Sequence, residues 1–111
     1  MFKTAHQIRI HALDPTLADV RIEFPDLPDD MEVRGRIMGP HCPGVSTIEV
    51  AYLLRAVGPG KIYQVLIPEP TFWKPETPFV YEGPVEFWRG GKKEGETVLS
   101  LGLKAESRWV I

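Results

Sequence analysis

Ile62-Tyr63-Gln64-Val65-Leu66-Ile67, then Pro70-Thr71-Phe72-Trp73-Lys74-Pro75-Glu76-Thr77-Pro78-Phe79-Val80-Tyr81, then Val85-Glu86-Phe87-Trp88 ahead of Gly90-Gly91, decide how this chain folds. The first run is rich in β-branched residues and sets Val65 and Ile67 in one phase of a period of two, which reads as a strand. The second carries Pro70, Pro75 and Pro78, whose rings fix φ and remove ladder donors, so the backbone crosses here without pairing. The third alternates again, with Val85 and Phe87 on one face, and the glycine pair turns it back.

The same rhythm extends outward. Ile8, Ile10 and Ala12 alternate with Gln7, Arg9 and His11; Val20, Ile22 and Phe24 alternate with Arg21 and Glu23. Met31, Val33, Gly35 and Ile37 alternate with Glu32, Arg34 and Arg36, and Ile48, Val50, Tyr52 and Leu54 with Thr47, Glu49 and Ala51. Leu99, Leu101 and Leu103 close the series. Turn chemistry separates the runs at Pro25-Asp26-Leu27-Pro28-Asp29-Asp30, at Gly39-Pro40-His41-Cys42-Pro43-Gly44 and at Gly58-Pro59-Gly60. The 11 prolines and 10 glycines leave little room for long helices. About seven short strands, each with one wet face, predict an all-β, immunoglobulin-like β-sandwich, with residues 1–111 as a single domain.

The crossing, with Trp73, Pro75, Glu76, Pro78 and Tyr81 in a Trp-x-Pro-Glu-x-Pro-x-x-Tyr pattern, resembles the signature of the immunoglobulin-like domain of glycoside hydrolase family 2 enzymes. The likeness runs from about residue 62 to 104, ending on a weak match at Gly102-Leu103-Lys104, where Leu and Lys replace an aromatic residue and Arg. It implies that the crossing residues specify the fold and are not catalytic, Glu76 included. Those enzymes keep their acid and nucleophile in a separate barrel, and this chain ends seven residues after Lys104. The resemblance therefore implies a stand-alone domain without catalysis.

Composition narrows the remaining classes. The net charge of -2 is not blocky, and the adjacent basic pair Lys92-Lys93 sits beside a turn, so a nucleic-acid partner is not expected. No run approaches the roughly 18 apolar residues of a membrane span, and residues 1–7 have no apolar signal core. Cys42 is the one cysteine, which removes any intrachain disulfide and suits a reducing compartment. A cytoplasmic location is the expectation.

Several side chains merit a functional reading. Trp73 offers an indole face to a sugar ring, but in this fold class it more readily covers the end of the core. Tyr81 is positioned for a corner role, tying the start of a strand to the loop before it. His41 and Cys42, with Met38 near, form a metal half-site at best, because a zinc site wants about four ligands and only His6 and His11 remain as imidazoles. Asp26, Asp29, Asp30 and Glu32 lack calcium-loop spacing and read as solvated turn carboxylates. Trp88 is opposite in phase to Val85 and Phe87, so it points outward, with Tyr63 and Phe79 as conceivable neighbours. Trp109, followed by Val110 and Ile111, is a second apolar group suited to a contact.

These readings converge on a non-catalytic binding or assembly module that uses Trp88 and Trp109 toward a protein partner or a second copy, with no cofactor. The alternatives are a carbohydrate-recognition accessory domain using an exposed Trp, and a small metal-binding protein using His41 and Cys42.

Overall fold

A computed structural model describes residues 2–58 and 61–105. Eight strands are present: β1 (Gln7–Asp14), β2 (Leu17–Glu23), β3 (Met31–His41), β4 (Val50–Leu53), β5 (Arg55–Ala56), β6 (Ile62–Pro68), β7 (Val80–Arg89) and β8 (Lys92–Leu101). They form two four-stranded sheets, ordered β1-β2-β6-β5 and β4-β3-β7-β8, with every pairing antiparallel. This is the immunoglobulin order A-B-E-D over C′-C-F-G. The expected all-β sandwich is the fold.

Alternation accounts for the core. Ala18, Val20 and Ile22 on β2 meet Ile67, Val65 and Tyr63 on β6 in direct register, while Val33, Ile37, Val85, Phe87, Leu99 and Leu101 line the facing sheet. Each fully buried aliphatic side chain of this kind contributes about 1.5–3 kcal/mol. An edge-to-face aromatic cluster bridges the sheets at one end. Phe24 lies 5.6 Å from Phe87 and 5.8 Å from Tyr63, and Phe2 lies 5.3 Å from Phe87.

The strand count exceeds the expected seven because a short strand, β5, follows directly on the fourth run. Pairing begins only at Val50, and the chain leaves the second sheet after Leu53 to join the first at Arg55. Leu54, 8% exposed, is the pivot, and its N–H donates to the Gly35 carbonyl at 3.0 Å. Ile48, expected to face inward, is 89% exposed in the connection before β4. On β1 a register shift between Ile10 and Ala12 reverses the phase, so Leu13 packs on the core while Ala12 is exposed.

The Trp-Pro crossing spans the gap between β6 and β7. It opens at Glu69, whose left-handed φ of 47° turns the chain out of its sheet while its N–H donates to the Thr16 carbonyl at 2.9 Å. Tyr81, 1% exposed, anchors the middle, its hydroxyl accepting from the Thr71 N–H at 2.9 Å. No helix among the described residues is long and apolar enough to cross a membrane.

Candidate functional site

The outer face of the second sheet is assembled by register. β3 turns Glu32, Arg34, Arg36 and Met38 outward, and β7 turns out Glu82, Pro84, Glu86 and Trp88. Pairing with β8 places Ser100 beside Glu82, Val98 beside Pro84, Glu96 beside Glu86 and Lys93 beside Trp88. On the other flank Leu53 lies beside Arg36 and Ala51 beside Met38. The pairs Gly35–Val85 and Met38–Glu82 place Arg36 across from Pro84. One row therefore reads Leu53, Arg36, Pro84, Val98 across all four strands. The next begins Ala51, Met38.

This row is unusually apolar for a solvated face. Leu53 is 69% exposed and Val98 63%, and Met38 in the next row is 38% exposed. A depression of about 280 Å³ opens beside them, lined by Arg34, Arg36, Leu53, Pro84, Glu86 and Glu96. It exists because β4 stops at Leu53, leaving the flank of Arg34 without a neighbouring strand.

Trp88 belongs to the same face but is not a bare platform. It is half-buried, its indole N–H donates to Glu86 Oε1 at 3.1 Å, and the Arg34 guanidinium lies 4.2 Å from the ring centroid. Such a cation–π contact contributes about 0.5–1 kcal/mol at an exposed site. Arg34 also pairs with Glu32. Lys93 bridges Glu86 at 3.2 Å and Glu96 at 2.7 Å. The hydrogen bond from Trp88, then that from Lys93, hold the Glu86 carboxyl below its ordinary range, while Glu96 and Glu86 raise Lys93. Arg36 and Glu82 have no ion pair among the described residues.

The conceivable neighbours of Trp88 lie elsewhere. Tyr63 faces the interior of the first sheet, its hydroxyl accepting from the Val33 N–H at 3.2 Å, and Phe79 precedes β7 at the strand end opposite Trp88. Trp109 lies outside the described residues.

Trp73 packs as a cover over the end of β8. Its N–H donates to the Leu103 carbonyl at 2.7 Å, and a side chain at Gly102 would meet the indole at 2.8 Å. Lys104 Nζ stands 5.2 Å from the ring centroid. Trp73, Phe72, Pro75, Glu76 and Lys104 border an open cleft of about 530 Å³. Pro75 and Glu76 are exposed at its rim, and Pro78 is half-buried.

His41 and Cys42 diverge. His41 is exposed and its Nδ1 lies 3.3 Å from Glu49 Oε2, whereas Cys42 is 4% exposed, with its Sγ 3.7 Å from the Pro43 carbonyl. No group of three His, Cys, Asp or Glu side chains suited to a metal occurs among the described residues. The turn carboxylates pair with cations, Asp29 with Lys61 at 3.5 Å and Asp30 with Arg89 at 3.0 Å.

The alternation places Trp88 on this outer face, where it lies, but did not single out Leu53, Met38 and Val98 as its exposed apolar members. The signal was present, since each is apolar in the wet phase of its strand, next to Leu54, Ile37 and Leu99. Compared with family profiles and with curated proteins, the chain matches none.

Proposed function

We propose that this chain is a non-catalytic binding or assembly module, as its resemblance to the immunoglobulin-like domain of family 2 glycoside hydrolases implies, and that it presents the outer face of the second sheet to a protein. The observation carrying this reading is the row Leu53, Arg36, Pro84, Val98, whose two aliphatic ends are 69% and 63% exposed. Solvated sheet faces are normally polar, and a row with three apolar members around Arg36, flanked by further Arg and Glu side chains, has the make-up of an interface core with its rim.

Carbohydrate recognition draws less support. A sugar ring stacks on a free indole face, and both half-buried tryptophans already carry a cation over the ring, Arg34 at 4.2 Å and Lys104 at 5.2 Å. The divergence of His41 and Cys42 gives metal binding no support.

A photo-crosslinking amino acid in place of Leu53, with Arg9 on the opposite sheet as control, tests the reading in the source cell. The expected result is a protein adduct from position 53 and none from position 9. Absence of any adduct at 53 overturns the proposal.

A further inference from the structure

We infer that the partner for this face is a second copy of the same chain, related by a two-fold axis; the inference rests on the binding reading above. The charge distribution of the face favours this partner. The order β4-β3-β7-β8 puts outward Arg34 and Arg36 on β3 against one acid, Glu32, and outward Glu82, Glu86 and Glu96 on β7 and β8 against one cation, Lys93, so the halves carry net charges of opposite sign. A face that is basic on one half and acidic on the other complements itself after a two-fold rotation, as a closed isologous interface requires.

The geometry can be followed strand by strand. An axis lying in the interface, parallel to the strands and between β3 and β7, sets β4 of one copy over β8 of the other and β3 over β7. Rows then meet their own counterparts. Leu53 of each copy lands on Val98 of the other, and Arg34 lies opposite Glu86. Arg36 lies over Pro84, flanked along β7 by Glu82 and Glu86. The sheets pack within the roughly 30° that twisted sheets adopt face to face. At the far end of the face the order of charges is reversed, with Glu32 on β3 and Lys93 on β8, but these are neutralised within one copy by Arg34 and by Glu86 and Glu96. Among the described residues, the charges of this face without an ion pair are Arg36 and Glu82, one on each half. The two-fold pairs them twice.

A polar or differently charged partner would leave Leu53 and Val98 against water or against unlike chemistry. The second copy supplies both the apolar match and the opposite charge from one surface.

Sedimentation equilibrium of the purified full chain over a dilution series tests this. Wild type is expected to be a dimer. Leu53→Asp and Val98→Asp should each weaken it at least about tenfold, because each variant places two charges in the interface core. Arg36→Glu and Glu82→Arg should each weaken it about threefold or more, and the double variant Arg36→Glu with Glu82→Arg should recover most of the loss, as coupled charges do in a double-mutant cycle. Retained cooperative thermal unfolding shows that the variants fold, and Leu53→Thr provides a milder substitution with the same expected direction. A wild type that stays monomeric overturns the inference, as does a dimer indifferent to Leu53→Asp or a double variant weaker than both singles. The two proposals fail separately. A monomeric wild type whose Leu53 crosslinks to a different protein overturns the two-fold dimer and leaves the binding module standing.

Discussion

The two outer faces of this sandwich are built from the same alternation and end in opposite chemistry. On the first sheet Arg9, Arg21, Gln64 and Arg55 stand in one register row across β1, β2, β6 and β5. Beneath them Asp19 accepts from Arg21 Nε at 3.0 Å and from Gln64 Nε2 at 3.0 Å, and both Asp19 and Gln64 are 9% exposed. On the second sheet the corresponding row carries Leu53, Pro84 and Val98 with Arg36 among them. Leu17 and Leu66 on the first face are 38% and 37% exposed, against 69% and 63% for Leu53 and Val98 on the second. The first face satisfies its own polar groups and covers them with long side chains, whereas the second leaves apolar surface for something else to cover. The two outer faces thus differ in what they leave in water, paired polar groups on the first and aliphatic side chains on the second.

The largest expected break in this contrast is on the first face. Asp19→Ala should lower unfolding stability by about 2 kcal/mol, because Arg21 and Gln64 lose a charge-assisted acceptor in a largely covered site. Urea denaturation checks this, and the association state should not change. The same carboxylate sets a pH dependence. Burial pushes Asp19 up, but hydrogen bonds from Arg21 and Gln64 outweigh it and hold it below its ordinary 3.8. A depressed folded value means that its stabilising contribution is present above the unfolded value and lost as pH falls through the folded one. Acid unfolding of Asp19→Asn should accordingly have a shallower slope below about pH 4 than wild type.

Trp88→Ala is intermediate. It removes the indole that Arg34 covers and the donor that Glu86 accepts, and should cost about 1 kcal/mol in a thermal or urea melt. It should also weaken association by freeing Arg34, which then no longer holds one side of the depression. A loss of stability without any change in association would sharpen the division by assigning Trp88 to its own sheet alone.

How much of this was legible follows from what a period of two encodes. It tells which residues share a face, and so Val20, Ile22, Val65, Val85, Phe87, Leu99 and Leu101 were readable as core from the sequence. The Trp-Pro crossing was readable too, because Pro75 and Pro78 exclude a ladder and Tyr81 starts the next strand. Periodicity does not encode which sheet a strand joins. The run ending at Leu54 therefore shows no sign that the chain beyond it, at Arg55 and Ala56, changes sheets and pairs with β6 rather than β3. Nor does it encode register. Arg34 over Trp88 and Leu53 in line with Val98 depend on pairing between residues far apart in the chain, and the bulge on β1 that exposes Ala12 depends on one extra residue. The exposed row was hidden for this reason, although Leu53, Pro84 and Val98 are each apolar residues in a wet phase.

The smallest expected effect on stability is the most discriminating. Leu53→Ser should change unfolding free energy by no more than about 0.5 kcal/mol, since a side chain that is 69% exposed removes little apolar area from water on folding. The area that matters for Leu53 is removed only when another surface covers it. A chain whose sole requirement was to fold would gain nothing from Leu over Ser at this position. Measured on one variant, a urea midpoint equal to wild type at concentrations too dilute for either to associate, together with weakened association at higher concentration, places the value of Leu53 in contact and not in folding. A midpoint shifted by as much as Asp19→Ala would show that the two faces do the same job, and the contrast between them would fall.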